Sequence, residues 1–426
     1  VSWTLQIPDG IEAIYYKVVA QAGDFSDGEA AALPVLPNRM LVTESFPINM
    51  RGTNSKNFNW QKLLQSENSP TLQHQSFTIE YTSNPVWLAI QSLPYLAEYP
   101  YECAEQTWNR FYANALAAHI AQSFPKVKAV LAKWKDTDTT ALLSNLQKNE
   151  QLKQALLEET PWVLAAKNEN EQRKNLSMLF DVLRLEKESE KSLATLEQLQ
   201  SPNGGFVWFK GGPDDRYMTQ YIISGMGHLR QLKAWPTAFA ARLQLMANKG
   251  IAYLDARMKE DYDWIQKNKT TKSAYSISTF NTQYLYMRSF FTDVVMNQSY
   301  KKAYQYFFDN AKTTWPRLNK QQQGMIALVM HRGKVPVVAQ SILKSLTENS
   351  ISSEEFGMYW KEYNNPSWYW WQAPVESHSL LLEAFAEIEN NKTRINDLKT
   401  WLLKQKQTTS WESTKATAEA CYALLM

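Results

Sequence analysis

The residues most able to do chemistry gather in one short stretch, "YPYECAEQTWNRFY", from Tyr99 to Tyr112. Of the two cysteines in the chain, Cys103 and Cys421, the first follows a Pro-and-aromatic loop and comes directly before a helical pattern. A thiol there sits at the positive end of a helix dipole, which favours thiolate and lowers the thiol pKa. Gln106 lies three residues on, so the two side chains share the first helical turn and can meet, with Glu105 between them. Cysteine proteases place a nucleophile in the same way, but they need a histidine base, and no histidine here carries a recognisable local signature. A structural cysteine at a loop–helix junction fits the same residues.

Other chemistries find less support. His74, His119, His228, His331 and His378 are scattered without ligand spacing, and the cysteines form no metal or redox pair, so neither a metal nor a cofactor is expected. A Cys103–Cys421 bridge stays open, since sequence cannot test its geometry. Asp214 and Asp215 in a Gly-rich loop could be the acid and base of a carbohydrate-active enzyme, though adjacent carboxylates rarely face each other across a sugar and a solvated turn explains them as well. The formal charge is +3, from 45 basic and 42 acidic residues interspersed along the chain, which argues against nucleic acid or an anionic membrane as partner. No apolar run approaches the roughly 18 residues needed to span a bilayer. Any membrane anchor is expected outside these residues.

The elements that must hold Cys103 fall into two regions, expected at 1–84 and 85–426. A hydrophobic content of 44% over 426 residues describes globular protein of more than one core. In "VSWTLQI" (1–7) and "QSFTIEYT" (75–82) apolar and polar residues alternate, the mark of half-buried strands, and "AIYYKVVA" and "MLVTES" read as further strands. "GDFSDGE" and "LPVLP" carry turn chemistry. Beyond "YTSNP" the period changes to three and four, predicting helices at 106–122, 125–135, 138–157, 169–200, 217–233, 238–266, 274–291, 298–313, 318–331, 334–347, 374–390, 393–405 and 412–426. Short breaks make neighbouring helices antiparallel, and a closed ring of helical hairpins and an open solenoid fit the pattern equally. Aromatic clusters such as "FVWF" and "WYWW" fall in the breaks, where they can plug the ends of a ring. The chain opens on Val1 in a strand-like pattern and stops inside a helical one, so a fragment is expected.

"YPYECAEQ" resembles the thioester motif of the alpha-2-macroglobulin and complement superfamily, most closely its bacterial branch. The resemblance runs along the chain. "AGDFSDGEAAALPVLP" is similar to the segment preceding the thioester domain, which ends in parts of a CUB-like or macroglobulin-like β domain. "SPNGGFVWFKGG" is similar to a Gly-aromatic loop between helices of the family's α/α toroid, and "SWYWWQAPVESHSLLLEAF" and "WLLKQKQTTSWESTKATAEACYALL" to later hairpins. It implies a mainly α fold, an α/α toroid after a smaller β region, and a ring in place of a solenoid.

The resemblance also implies a function. Cys103 would be acylated by the side chain of Gln106 with loss of ammonia, giving an internal thioester. A lysine amine on a captured protease would then attack it, leaving an isopeptide at Gln106 and a free thiol. This is single-turnover trapping of a protease, not enzymatic turnover. Survival of the bond requires a dry enclosure, with Tyr95, Tyr99, Tyr101, Trp108 and Tyr112 as candidate walls, equally at home in a core. In intact relatives neighbouring domains complete that enclosure, so the bond is expected to be easily lost here. Glu105 belongs to the motif, and no step is assigned to it. Members that acylate hydroxyls carry a histidine after the Gly-aromatic loop, whereas "GGPDDRYMTQ" has none, so amines are the expected targets. The family setting implies the periplasm or cell envelope. Two other readings stand beside this one: an α/α-toroid carbohydrate-active enzyme, and an interaction scaffold whose thioester never forms.

Overall fold

The computed structural model describes residues 2–7, 13–35, 57–69, 86–99, 101–123, 182–268, 277–364, 373–406 and 410–426, with single residues at 11, 44, 46, 48, 50, 55, 72, 74, 77 and 79. Two compact units emerge, one of Val1–Glu44 with Ala129–Met178 and one of Ser45–Lys128 with Leu179–Met426.

In the first unit, β1 (Ala13–Ala22) and β2 (Phe25–Pro34) form an antiparallel hairpin with Ala13 opposite Pro34 and Ala22 opposite Phe25. The turn between them is only Gly23 and Asp24, and Gly23 supplies the positive φ of 63° that such a tight reversal needs. "FSDGE" is therefore strand, not turn: the register carries pairing straight through it. Ser2–Ile7, expected as a strand, forms none. Trp3, Leu5 and Ile7 are exposed, and alternation without a buried face or a partner edge does not hold a strand. Of the expected strand at 75–82 only Phe77 and Ile79 are described, both exposed and outside any strand. The expected strand at 40–45 and helices at 125–135 and 138–157 lie outside the described residues, apart from Glu44.

The second unit is helical. After a short helix α1 (Gln61–Gln65) come α2 (Val86–Ala97), α3 (Ala104–Ser123), α4 (Val182–Leu199), α5 (Arg216–Gln231), α6 (Ala240–Lys267), α7 (Thr279–Ser289), α8 (Gln298–Thr314), α9 (Lys320–Arg332), α10 (Pro336–Glu348), α11 (Pro374–Ile388), α12 (Lys392–Lys404) and α13 (Thr414–Leu425). Their starts follow local chemistry. Asp215, Ser278, Asn297, Asn319, Asn391 and Ser413 each accept a backbone N–H of the first turn, and proline opens α10 and α11. Past the ends of α5 and α9, Lys233 and Lys334 take φ of 57° and 60°, and the next N–H groups return to Leu229 and Met330 at 2.8 and 2.7 Å. The sequence pattern does not predict helix α2, because its Pro94 and near-continuous apolar run hide the period.

Among the described residues, α3, α5, α7, α9, α11 and α13 touch in succession, and α13 touches α3 again. Helices α2, α4, α6, α10 and α12 pack outside them against α3 and α13, α3, α5, α9 and α11 respectively. The result is a mainly helical, ring-like arrangement. Inner helices are buried almost all round: Gln321–Met330 of α9 and Val375–Phe385 of α11 have no exposed residue. Trp108, Phe111, Phe206, Tyr284, Phe385, Trp411 and Tyr422 are all but fully buried, each ring worth about 1.5–3 kcal/mol on the usual burial scale. A polar network lies between these helices. Arg332 contacts Glu383 and Glu387 at 2.7 and 2.6 Å, and Tyr286 and Tyr422 donate to Glu383 at 2.5 and 2.9 Å.

Two further hairpins interrupt the helices, β3 (Phe206–Val207) with β4 (Asp214–Asp215) and β5 (Ile351–Ser353) with β6 (Gly357–Tyr359). The first corrects the expectation of a solvated turn at Asp214 and Asp215. Asp215 caps α5 through Met218 N–H at 2.7 Å, and Asp214 accepts from Asn203 at 3.3 Å. "WYWW" at 368–371 lies outside the described residues.

Candidate functional site

Cys103 directly precedes helix α3, and its carbonyl accepts the Thr107 N–H at 2.9 Å, so the cysteine stands at the N-cap. The next N–H, of Ala104, donates to the Trp208 carbonyl at 2.9 Å, which fastens the "FVWF" loop to the start of α3. The thiol accepts from backbone N–H groups of Gln106 and Glu105 and is buried. The sequence position predicts a lowered thiol pKa. It is raised: burial pushes the Cys103 thiol up, the Gln106 N–H opposes this, and the Glu105 charge adds to it. Desolvation of a thiolate outweighs the dipole of the helix.

Glu105 is buried, and its Oε1 accepts from Asn109 at 2.6 Å and Thr414 at 2.8 Å. Asn109 in turn accepts from the Tyr221 hydroxyl at 2.7 Å. One carboxylate thus ties the first turn of α3 to α13 and, through Asn109, to α5. Burial holds its pKa above the usual carboxylate range against the pull of Thr414, Lys415 and Asn109. Gln106 is half-buried, and its Oε1 is sealed from solvent without a hydrogen-bond partner. An acceptor in that state costs about 1–3 kcal/mol, a cost borne on the same helical turn as the thiol.

The aromatic candidates separate. Tyr95 on α2 bonds Ser410, and its ring meets Tyr99 edge-on at 5.4 Å. The Tyr99 carbonyl accepts from Arg110 at 2.9 Å, which fixes the approach to Cys103. Tyr101 is 66% exposed, whereas Trp108 and Tyr112 are buried within the helical core, where Trp108 packs on Phe111 at 5.8 Å. A cavity of about 260 Å³ opens nearby between Tyr99, Glu102, Arg110 and α4, and neither Cys103 nor Gln106 lines it.

Sequence reasoning missed a group of charged residues at the first turns of other inner helices. Lys415 of α13 lies 4.0 Å from Glu376 of α11, both buried, and Tyr217 of α5 shares a hydrogen bond with Lys415. Tyr217 stacks on Trp208 at 6.4 Å, next to the carbonyl that holds Ala104. The signal was available: charged residues in "APVESHSLLLEAF" and "STKATAEACYALL" fall on turns surrounded by small and apolar residues. His228 of α5 stacks on Tyr422 at 3.9 Å and bonds Tyr286 at 2.8 Å. Burial drives its pKa down to about 3, so it is neutral. Cys421 lies in the core and is not bridged to Cys103, and burial pushes its thiol up to about 12. Among the described residues no cluster of His, Cys, Asp or Glu could hold a metal, and no helix is long and apolar enough to cross a membrane.

No known family's sequence profile matches the chain, and no curated protein matches it. Among solved structures, native alpha-2-macroglobulin from Escherichia coli, spanning domain MG7 to the C-terminus, is similar at 14% identity with a TM-score of 0.40. The match covers 79% of this chain and 42% of that one, so the chain spans less than half the length of that structure. The likeness is distant and concerns the broad fold.

Proposed function

We propose that this chain is the thioester-bearing part of an alpha-2-macroglobulin-like protease trap. In this reading residues 85–426 are an α/α toroid, residues 1–84 belong to a preceding β region, and the protein works in the periplasm or cell envelope. Cys103 sulfur and the Gln106 carboxamide condense, the thiol proton leaving with the amide nitrogen as ammonia. The bond stays latent until a protease is held close. A lysine amine of that protease attacks the Gln106 acyl carbon, the C–S bond breaks, and Cys103 departs as thiolate and takes up a proton. The product is one isopeptide per trap, without turnover.

The observation that carries this reading is the state of the Cys103–Gln106 turn. A buried thiol accepts the N–H groups of Glu105 and Gln106, and a buried carboxamide oxygen on the same turn has no hydrogen-bond partner. The N–H groups favour a departing thiolate, while burial disfavours its release, which suits a bond that must wait. Asp214 and Asp215 are engaged in a hairpin and a helix cap, so nothing favours a glycosidase pair.

Thiol titration with intact mass measurement of the full-length protein tests the proposal. One thiol should appear on methylamine treatment, with a methylamide at Gln106, and the untreated protein should be lighter than its sequence by one ammonia. A Cys103 thiol already free and a Gln106 unmodified in gently handled protein would leave only an interaction scaffold.

A further inference from the structure

We propose that the Glu376 carboxylate receives the ammonium group of the acyl acceptor and so makes the site selective for primary amines. This rests on the reading of Cys103 and Gln106 as a thioester pair and names the acceptor class and the residue that selects it. The first turns of four inner helices supply the site: Glu105 of α3, Tyr217 of α5, Glu376 of α11 and Lys415 of α13. They are one connected group. Thr414 bonds Glu105 at 2.8 Å, Lys415 stands 4.0 Å from Glu376 Oε1 and bonds Tyr217, and Glu376 lies within electrostatic reach of Glu105. Gln106, whose acyl carbon would be attacked, adjoins Glu105 in the same turn.

Glu376 is 3% exposed, and its Oε2 is buried with no hydrogen-bond partner. Gln220, 2% exposed and one turn along α5 from Tyr217, likewise has an Oε1 without one. Buried acceptors left open in this way are strongly disfavoured unless a donor arrives. The charge balance asks for the same thing. Lys415 is the cation among Glu105, Glu376 and Glu419, with Glu412 also facing Glu376, and each of the first three carboxyl groups is held above its usual range by burial. An ammonium ion supplies both the missing N–H donors and the missing positive charge, whereas a sugar hydroxyl supplies no charge.

The step balances without a further reagent. Glu376 carboxylate takes a proton from the bound ammonium, and the freed amine attacks the Gln106 acyl carbon. As the C–S bond breaks, the Cys103 thiolate takes the second nitrogen proton, and Glu376 returns the first to solvent.

The test uses full-length protein and its E376Q variant, with methylamine, hydroxylamine (uncharged at neutral pH) and glycerol as acceptors and thiol release as readout. Loss of one charge-assisted hydrogen bond predicts a methylamine rate lower by about 10- to 100-fold in E376Q, with hydroxylamine and glycerol rates little changed. An E376Q rate with methylamine equal to wild type overturns the inference while leaving the thioester intact. A wild-type protein that releases no thiol overturns the thioester reading itself. If E376Q does not fold or does not form the bond, competition on wild-type protein decides: guanidinium, a non-nucleophilic cation with N–H donors, should slow methylamine consumption at millimolar concentration and neutral urea should not. Equal effects of the two would overturn the inference.

Discussion

Glu419 of α13 offers a test of the helical interior that needs no thioester. It lies among inner helices, with His228 Nδ1 at 4.0 Å and Lys415, Glu383 and Glu376 within electrostatic reach. Burial raises its pKa from an ordinary 4.5 to about 7; Lys415 pulls it down, and Glu383 and Glu376 push it further up. The folded protein therefore binds this proton more tightly than the unfolded chain does. That contribution is fully present below about pH 4.5 and is lost as pH rises through 7. At about 1.36 kcal/mol per pH unit, ionising Glu419 in the fold costs about 3 kcal/mol at pH 8. Replacing it by glutamine, of nearly the same shape, removes the ionisation. The E419Q variant should gain about 3 kcal/mol on wild type between pH 4.5 and pH 8, or roughly 4 °C in Tm for a helical unit of this size. Urea titrations of both proteins at several pH values across this window provide the assay, and the change in their difference is the quantity read. Parallel stability curves would refute the placement of Glu419 as a largely desolvated carboxyl among the inner helices.

Three further outcomes follow from the packing. Thr414→Val keeps the shape of the side chain but removes the 2.8 Å bond to Glu105, and should cost about 1.5–3 kcal/mol in denaturant unfolding. Arg332→Met strands Glu383 and Glu387 in the interior and should cost about 3–5 kcal/mol, with recovery when both glutamates become glutamine. Gly225→Val places a side chain against the Trp108 indole and should cost at least about 1–3 kcal/mol, visible in thermal unfolding and in the tryptophan emission.

The helical part of this protein was largely legible in its sequence. Inner and outer helices from α5 to α13 start within a few residues of their expected positions, because capping Ser, Asp and Asn, opening prolines and a three-and-four apolar period are local signals. The amino-terminal strands were less legible. Alternation in "VSWTLQI" promised a strand, but a strand exists only through a partner, and pairing is not written in one segment. Local rules also misjudged "FSDGE", whose turn-forming residues are carried into a hairpin by the register set at Gly23 and Asp24.

At the candidate site the division has the same cause. Sequence alone determined that Cys103 and Gln106 share one helical turn with Glu105 between them, since helix geometry fixes what lies three residues apart. Only the tertiary structure decided the state of those groups. It buried the thiol and raised its pKa, brought the Trp208 carbonyl to Ala104, and joined Glu105 to Thr414, more than 300 residues away. It also set Glu376, Lys415 and Tyr217 together from three different helices. Burial and long-range pairing depend on how helices close around one another, and no residue carries that information within its own neighbourhood.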